Sequence, residues 1–372
     1  MKIMYFIHGM STGGAETIVK DYALNIDSTK FEISILCFER HNESPYENIL
    51  KNNNINIIYI NDYICLKKST STIARIIKKI HRYFLVRKII KNENPDILHT
   101  HLLINSYVKY AKVNKKCKLY HTVHSDPNIL WKRTKEGRKD FKCAKYLIKK
   151  NNMKIIVLHD KMRKVVNEMF EIDDSIILNN GIDISRFNTL NVKEKDYLRK
   201  KYNIPKDAYV LGHIGRFCDV KNHDFIIKIF SELHRKNSDY YLLLIGSGPN
   251  KNSIISKLDN MGLKGKYIIL SNRDDIPDLL SIMDYFIFPS LYEGMPVTVI
   301  EAQEMKLPCF ISDTITNSVI ISNIVTKISL EKSEQMWADI IIKYKYPKKI
   351  VINDKEWDIK YVIKKLEEIY TS

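Results

Sequence analysis

The chain has 372 residues, of which 45% are apolar and 28% are charged, and its formal net charge is +17. This length predicts two domains with enough apolar residues for their cores. No apolar run reaches the roughly 20 residues of a membrane span, and the N-terminal run is too short for a signal peptide. The six cysteines are scattered without a CxxC pair, which argues against a disulfide framework or zinc cluster and favours the cytosol.

The positive charge is concentrated in the first half of the chain. Residues 1–190 carry a formal charge of +14, whereas residues 191–372 carry +3. A one-sided basic surface indicates an anionic membrane or nucleic acid as a partner, and the open alternative is a lysine-rich composition without such a partner. We expect no nucleic-acid partner, because the chain has no recognisable binding motif and its basic half has no aromatic-interleaved platform.

The first half alternates strands and helices. A buried-type strand over residues 2–7 leads into a loop with Gly13 and Gly14, and an amphipathic helix follows. Adjacent glycines let the backbone approach a ligand closely, although a simple tight turn explains them equally well. The loop is neither a Walker loop nor a GxGxxG fingerprint. Further strands are expected at residues 33–38, 55–60, 96–99, 118–123, 155–158 and 175–178.

Two basic segments interrupt this alternation. Residues 70–91 have a helical pattern in which isoleucines alternate with lysines and arginines. Such a helix can pack its apolar stripe on the sheet or lie on an anionic membrane, and we favour packing with membrane contact as an addition. Residues 131–154 form the second basic segment, which is expected to be a loop and a helix.

Three histidines end two of the predicted strands. His101 follows the strand at 96–99, and His121 and His124 end the strand at 118–123. Open α/β sheets bind ligands at this edge. We do not expect a metal there, because the sequence has no HExxH, no carboxylate cluster and no cysteine partner. A histidine that forms hydrogen bonds or exchanges protons is favoured.

The same alternation restarts after a polar junction over residues 179–194. Strands are expected at 210–213, 240–245, 266–270 and 285–288, with a loop and a helix after the first and the last of them. The sequence therefore predicts two consecutive doubly wound α/β units, with a cleft between them lined by the ends of both sets of strands.

The loop after the last of these strands combines a helix start with two carboxylates. Pro296 suits the first helical position, so that Glu293 precedes the helix and Glu301 lies one to two turns inside it. Free N–H groups at a helix start bind anions, and flanking carboxylates can hold hydroxyl groups, as a sugar nucleotide requires. The alternative is an ordinary capped helix with two exposed glutamates.

Together these residues resemble the retaining glycosyltransferases of family 4, which have the GT-B fold, almost from end to end. The pieces that match are Gly13-Gly14-Ala15-Glu16, His121-x-x-His124, Asn180-Gly181-Ile182-Asp183, Gly215-Arg216 with Lys221, Gly246-x-Gly248, and Glu293 with Glu301. The two glutamates have the family's E-x7-E spacing and lie in a Pro-Ser-x-x-Glu-Gly-x-Pro context, which is specific.

The resemblance implies two Rossmann-like doubly wound parallel-sheet domains facing an interdomain cleft. The N-terminal domain would comprise residues 1–185 and a C-terminal crossover helix at about 355–372, and it would bind the acceptor. Residues 186–354 would form the domain that binds the nucleotide-sugar donor.

The resemblance also implies roles for individual residues. Arg216 and Lys221 would clamp the donor diphosphate, assisted by the N–H groups of Gly294, Met295 and Val297. Glu301 would hold the ribose and Glu293 the transferred sugar. Gly13 and Gly14 would approach the phosphate and the acceptor, His124 would bond the donor sugar, His101 and His121 would lie on the acceptor side, and Arg273 would lie near the base.

The function implied is transfer of a hexosyl group, with retention, from a nucleoside-diphosphate sugar such as a UDP-sugar to a hydroxyl group of a glycan or of a polyprenyl-diphosphate-linked acceptor. Such chemistry serves capsule, exopolysaccharide or lipopolysaccharide synthesis at the cytoplasmic face of the plasma membrane. No cofactor or metal is expected, because the sequence has no D-x-D.

Other enzyme classes remain as alternatives. A sugar epimerase of similar architecture is one of them. A phosphorylase would need a pyridoxal lysine that the sequence does not identify. A dehydrogenase is disfavoured because the loop at Gly246 and Gly248 lacks the third glycine of the dinucleotide fingerprint. A basic nucleic-acid-binding protein is the alternative outside the enzymes.

Overall fold

The computed structural model describes residues 1–41, 44–64, 72–187 and 192–372. Within these ranges the chain divides into two compact units, Met1–Gly181 with Ile359–Ser372 and Ile182–Asp358. The first two residues of the helix predicted over 70–91 and residues 188–191 of the predicted junction lie outside the described residues.

The first unit is built on a parallel sheet. Its strands are β1 (Lys2–Phe6), β2 (Glu32–Cys37), β3 (Asn56–Tyr59), β4 (Ile97–His101), β5 (Lys118–Thr122), β6 (Lys154–Val157) and β7 (Ile176–Ile177). They lie in the order β3-β2-β1-β4-β5-β6-β7, so the winding reverses between β1 and β4. The apolar run over residues 3–6 is at most 1% exposed, as expected for a parallel sheet that is covered on both faces.

Helices connect these strands. They are α1 (Gly14–Asn25), α2 (Pro45–Asn52), α3 (Thr72–Glu93), α4 (Asn105–Ala111), α5 (Pro127–Lys132), α6 (Lys135–Asn151) and α7 (Asp160–Phe170). The helix predicted over 102–113 is shorter than expected. Leu102 and Lys112 have φ angles of 65° and 52°, and this left-handed backbone cannot continue an α-helix at either end.

The second unit repeats the architecture. Its strands are β8 (Tyr209–Ile214), β9 (Tyr240–Ile245), β10 (Tyr267–Leu270), β11 (Tyr285–Phe288), β12 (Cys309–Ser312) and β13 (Val325–Ile328). Their order is β10-β9-β8-β11-β12-β13, so the winding reverses between β8 and β11. The helices are α8 (Val192–Lys201), α9 (His223–Lys236), α10 (Lys251–Asn260), α11 (Ile276–Ser281), α12 (Val297–Glu304) and α13 (Glu334–Ile342).

Apolar packing of α9 and α13 on this second sheet forms its core. Phe230 of α9 and Trp337 of α13 are fully buried with Leu242 of β9 and Ile287 of β11. The prediction of two doubly wound parallel-sheet units is therefore confirmed. None of the helices in the described ranges has the length and apolarity that crossing a membrane requires.

The last helix, α14 (Ile359–Thr371), packs on the first unit. The Oη atom of Tyr370 lies 2.6 Å from Nδ1 of His99, and Tyr120 donates a hydrogen bond of 2.8 Å to the carbonyl oxygen of Ile369. Gly181 touches the start of this helix, since a Cβ atom there would lie 2.9 Å from the Cα atom of Ile359. The first unit is thus discontinuous in sequence.

Candidate active site

The loops at the winding reversal of the second sheet carry three of the predicted donor residues. Arg216 and Lys221 follow β8, and Glu293 follows β11. Because β8 and β11 are parallel hydrogen-bonded neighbours, these loops lie side by side at the carboxyl edge of the sheet. Lys221 Nζ lies 2.7 Å from Glu293 Oε1, and the two side chains are 16% and 15% exposed. The structure therefore brings these two predicted residues into a partly buried ion pair.

Local packing sets the position of the Lys221 ammonium group. Nζ lies 4.6 Å from the ring centroid of Phe288, the last residue of β11. A Cβ atom at Gly215 would lie 2.9 Å from Nε2 of the buried His213 and 3.2 Å from the Cδ and Cε atoms of Lys221. A side chain at position 215 would therefore crowd both His213 and the lysine stem, which gives a physical reason for glycine at the start of this loop.

Backbone contacts join the two loops. The N–H of Leu291 donates to the carbonyl of Val220 at 2.8 Å, and Asn222 Nδ2 donates to the carbonyl of Pro289 at 3.2 Å. Asn222 has a φ angle of 56°, a left-handed conformation that asparagine tolerates better than most residues. One main-chain and one side-chain hydrogen bond thus hold the two loops together beside the Lys221–Glu293 ion pair.

The start of α12 differs by one residue from the prediction. Pro296 occupies the cap position, and the helix begins at Val297. Within the described part of the chain, no side chain caps this end. Its first N–H groups are therefore available to an anion, next to the buried backbone of Gly294 and Met295. Glu301 lies in the second turn and is half-buried.

The two predicted arginines have different surroundings. Arg216 is exposed, and no ion pair of its guanidinium group is found among the residues that the structure describes. Arg273 forms a two-pronged ion pair with Asp275 and donates to Tyr202 Oη at 3.2 Å. It follows β10, the edge strand. The structure thus places Arg216 at the reversal and Arg273 on a separate loop with its charge already paired.

The Gly246-x-Gly248 pattern has a packing explanation. A Cβ atom at Gly246 would lie 2.0 Å from the carbonyl oxygen of Gly215, and one at Gly248 would lie 2.4 Å from that of Phe217. The loop after β9 therefore lies directly on the backbone of the loop after β8. These glycines support the loop that carries Arg216.

Two buried histidines behind Lys221 were not predicted. His213 Nδ1 lies 2.9 Å from the carbonyl oxygen of Ile287, and its ring centroid lies 5.0 Å from that of His223. Burial lowers the pKa of His213 well below its ordinary value. Burial, reinforced by the charge of Lys221, lowers the pKa of His223 to about 4. Both rings are therefore neutral at physiological pH and add no positive charge beside Lys221.

In the first unit, Gly13 and Gly14 lie at the start of α1, in the loop that follows β1. A Cβ atom at Gly14 would have no neighbouring atom within 4 Å in the described chain. Neither glycine has a positive φ angle. Neither packing nor backbone conformation therefore requires glycine at position 14. The open space beside this backbone can accommodate a ligand.

Strand pairing explains how the histidines of the first unit are arranged. His99 and His101 are two residues apart on β4, so they share a face of the sheet. Nδ1 of His101 lies 2.8 Å from Nε2 of His124, and Nε2 of His99 lies 2.7 Å from Oγ1 of Thr122. Burial is the main cause that lowers the pKa of His101 well below its ordinary value and that of His124 to about 4. The structure therefore brings His101 and His124 together as a neutral pair.

His121 lies apart from this pair. It is paired in register with Thr100, whose side chain points to the opposite face from His99 and His101. Its Nδ1 lies 2.8 Å from Thr100 Oγ1. The side chain is fully buried, and burial is the largest of the causes that lower its pKa to about 3. His99 was not predicted as part of this cluster, although its period-two spacing from His101 was a usable signal.

Among the residues that the structure describes, no cluster of three or more histidine, cysteine, aspartate or glutamate side chains could hold a metal ion. The positive charge at the reversal of the second sheet comes from Lys221, with Arg216 in the same loop.

Comparison with protein families assigns both halves of the chain. Residues 12–186 match the model described as Glycosyltransferase Family 4. Residues 194–349 match the model described as Glycosyl transferases group 1. Together the two matches cover most of the chain.

Relatives and solved structures agree with this assignment. The capsular polysaccharide biosynthesis glycosyltransferase CapH of Staphylococcus aureus is 24% identical over 100% of this chain and 99% of its own length. The UDP-Gal:alpha-D-GlcNAc-diphosphoundecaprenol alpha-1,3-galactosyltransferase of Escherichia coli is 28% identical over 67% of this chain and 65% of its own length. The crystal structure of Anabaena Alr3699/HepE in complex with UDP and glucose superposes with a TM-score of 0.78 at 15% identity, over 100% of both chains. This chain belongs to glycosyltransferase family 4 and has the GT-B fold.

Proposed function

We propose that the protein transfers a sugar from a nucleoside-diphosphate sugar, a UDP-sugar by preference, to a hydroxyl group of a glycan or lipid-linked saccharide. The observation that carries this proposal is the Lys221–Glu293 ion pair at the winding reversal, next to the start of α12 that no described side chain caps. It combines a cation, a carboxylate and free N–H groups, which are what a diphosphate and a sugar require.

Each donor residue has a distinct role in the proposal. Arg216 and Lys221 neutralise the diphosphate, and the first N–H groups of α12 add hydrogen bonds to it. Glu301 holds the ribose hydroxyl groups, and Glu293 contacts the transferred sugar while it keeps Lys221 in place. Arg273 near the base stays a prediction, and its charge is already paired with Asp275.

The proposed reaction retains the anomeric configuration. The acceptor hydroxyl group attacks from the face that the diphosphate leaves, and a phosphate oxygen takes its proton. Stabilisation of the departing diphosphate by Arg216, Lys221 and the helix start then supplies the catalysis, and one such contact is typically worth about 10²–10³ in rate. Since the sequence has no D-x-D, we propose that these groups take the place of a metal ion.

In the first unit, Gly13, Gly14 and the His101–His124 pair are proposed to bind substrate. A neutral histidine can donate one hydrogen bond and accept another, which suits sugar hydroxyl groups. His124 is half-buried, so its pair reaches the surface, whereas His121 is fully buried and is assigned a structural role.

The proposed setting is the synthesis of capsule or another surface polysaccharide at the cytoplasmic face of the plasma membrane. The names of two relatives support it, since one is a capsular polysaccharide enzyme and the other acts on a diphosphoundecaprenol-linked sugar. The formal charge of +14 on residues 1–190 suits an anionic surface.

A thermal-shift panel of UDP, GDP, ADP and their common sugar conjugates tests the proposal. We expect stabilisation by one nucleoside diphosphate, with EDTA making no difference, and a smaller shift in Glu301→Ala. A panel without any shift, together with salt-dependent binding of random DNA, would instead favour a nucleic-acid-binding protein. Interconversion of free nucleotide sugars without any acceptor would favour an epimerase.

A further inference from the structure

The first unit contains a pocket that none of the proposed donor residues lines. It has a volume of about 310 Å³ and lies between α3, α4 and the beginning of α6. Lys79 and Tyr83 of α3, Tyr107 of α4, and Lys135 and Lys139 of α6 are among the residues that line it. Asp140 also lines it and is 2% exposed.

The charge around this pocket is positive. Lys79, Lys135 and Lys139 line it together with two acids, the exposed Glu136 and the buried Asp140. No ion pair of any of these three lysines occurs in the ranges that the structure describes. Lys139 donates a hydrogen bond of 3.0 Å to Tyr83 Oη. Lysines that surround a concave surface without a protein counter-ion favour an anionic ligand.

Asp140 belongs to the framework of the pocket. Its Oδ2 atom accepts hydrogen bonds from Asn105 Nδ2 at 2.9 Å and from Trp131 Nε1 at 3.2 Å. Asn105 is the first residue of α4 and Trp131 lies in α5, so this carboxyl group holds α4, α5 and α6 together. The lysines of α6 are thus presented on a rigid wall.

Tyrosine rings form the other wall. The rings of Tyr83 and Tyr107 stack with their centroids 4.4 Å apart. The ammonium group of Lys139 lies 5.3 Å from the Tyr83 ring centroid. Tyrosine combines a broad apolar face with a hydroxyl group, a surface that suits a sugar ring as well as a hydrocarbon chain.

The pocket lies near the carboxyl edge of the first sheet. Tyr107 and Leu103 lie on α4 and on the loop from β4 that precedes it. The ring centroid of Tyr107 lies 6.5 Å from that of Phe6, the last residue of β1. Because β1 and β4 flank the winding reversal, the pocket is close to the edge where such sheets bind ligands.

An exposed apolar stripe runs along α3 beside the pocket. It consists of Ile76, Ile77, Ile80 and Phe84, which are 54, 50, 63 and 62% exposed. Lys79 and Tyr83 each precede a stripe residue by one position, so they form the adjoining row of the same helix. Apolar side chains that face outward between cations are typical of a surface that lies on an anionic lipid interface.

We propose that the pocket binds the phosphate group of a lipid-linked acceptor, while the apolar stripe of α3 lies in the bilayer surface that carries the lipid. The proposal rests on the proposed function and names the chemistry of its acceptor. Lys79, Lys135 and Lys139 contact the phosphate, Tyr83 and Tyr107 contact the first sugar or the start of the lipid, and the stripe adds binding to the bilayer.

Vesicle binding tests this assignment. The probes are phosphatidylcholine vesicles that contain either undecaprenyl diphosphate or phosphatidylglycerol at equal surface charge, so that a specific diphosphate is separated from a general anionic headgroup. We expect the protein to bind the diphosphate vesicles at least about tenfold more tightly, because hydrogen bonds to charged groups are the strong ones. Equal affinity for the two kinds of vesicle would overturn the assignment of the pocket.

Matched variants locate the effect. K135Q/K139Q should remove the preference for diphosphate, whereas K142Q/K150Q, which removes two exposed lysines from the same helix outside the pocket, should keep it. I80S/F84S should weaken binding to every vesicle and leave the preference unchanged. Loss of preference in K142Q/K150Q to the same extent, or displacement by a single-stranded oligonucleotide and not by added undecaprenyl diphosphate, would contradict the proposal.

The UDP thermal shift separates the two proposals and reports on folding of the second unit, where Arg216, Lys221 and Glu301 lie. Folding of the first unit, which carries the substitutions, is checked by a circular dichroism spectrum and a urea midpoint that match those of the wild-type protein. Loss of diphosphate preference with an intact UDP shift supports the pocket. An intact UDP shift without any vesicle preference refutes the pocket alone, and an absent UDP shift in the wild-type protein refutes the proposed function.

Discussion

The Lys221–Glu293 ion pair can be tested by removing each charge separately and then both together. Lys221→Met keeps most of the aliphatic stem beside Phe288 and removes the ammonium group. Glu293→Gln keeps the shape of the side chain and removes its charge. The double variant leaves neither charge, so that stability and ligand binding can be distinguished.

The expected change in stability follows from distance and burial. At 2.7 Å the Coulomb attraction is about 6 kcal/mol for an effective dielectric constant of about 20. Desolvation offsets much of this energy, and loss of one partner from a fully buried pair costs about 3–5 kcal/mol. Because both side chains still contact water, we expect each single variant to lose about 1–3 kcal/mol in the free energy of unfolding. The double variant, with no unpaired charge, should lie within about 1 kcal/mol of the wild-type protein.

Ligand binding should follow a different pattern. Lys221→Met should weaken UDP binding by about 10- to 100-fold, because a charge-assisted hydrogen bond to the diphosphate is lost. Glu293→Gln should bind UDP at least as tightly as the wild-type protein, because it removes an anion beside the diphosphate. The double variant should recover stability but not affinity for UDP.

Urea denaturation and isothermal titration calorimetry with UDP provide the two measurements. Lys236→Met is a suitable control, since Lys236 forms an ion pair with Asp339 between α9 and α13. It should change neither quantity by more than a few tenths of a kcal/mol. Wild-type UDP affinity in the double variant would refute the reasoning, because Lys221 would then serve the fold alone.

Three further predictions concern other parts of the chain. Arg216→Ala should lower turnover, measured as nucleoside-diphosphate release, by about 10- to 10³-fold (roughly 1.4–4 kcal/mol) with an unchanged melting temperature; similar loss in the exposed Lys228→Ala would contradict it. Gly14→Ala should raise the free energy of unfolding by up to about 1 kcal/mol and yet reduce activity; full activity would remove this loop from the site. Finally, urea midpoints should fall as the pH drops from about 6.5 towards 4. His101, His121 and His124 bind protons more readily in the unfolded chain, so each lowers the free energy of unfolding by up to about 1.4 kcal/mol per pH unit. Asp140 and Glu304, whose pKa values are raised to about 6 and about 7, act in the opposite direction, but they are two groups against three. A urea midpoint that rises over this range would refute the predicted sign.

Local patterns were sufficient to predict β1 to β11, whereas β12 and β13 were not predicted. Runs such as residues 3–6 and 285–288 are apolar throughout, because a parallel sheet covered by helices buries both faces of its strands. The bounds differed by one or two residues for most strands, and by more for the helix α4, whose ends depend on the backbone at Leu102 and Lys112. A position with a positive φ angle is hard to recognise in a sequence unless its residue is glycine or asparagine.

The grouping of functional side chains was harder to predict from the sequence than the strands were. His101, His121 and His124 were grouped because they follow strand ends, but strand register places His121 on the other face of the sheet. Tyr83, Tyr107 and Lys139 come from three helices that are distant in sequence, so no stretch of the basic half shows them as one surface. Gly246 and Gly248 entered only as a piece of the family resemblance, and the structure shows that they pack against the loop after β8.

The sequence by itself determined the alternation of strands and helices, the two units and the motifs that place the chain in its family, because these depend on neighbouring residues and short spacings. Tertiary structure alone decided that Lys221 meets Glu293 and that His101 meets His124. Each of these contacts joins residues far apart in the chain, and their partners are selected by strand order and packing. Local sequence patterns do not contain that information.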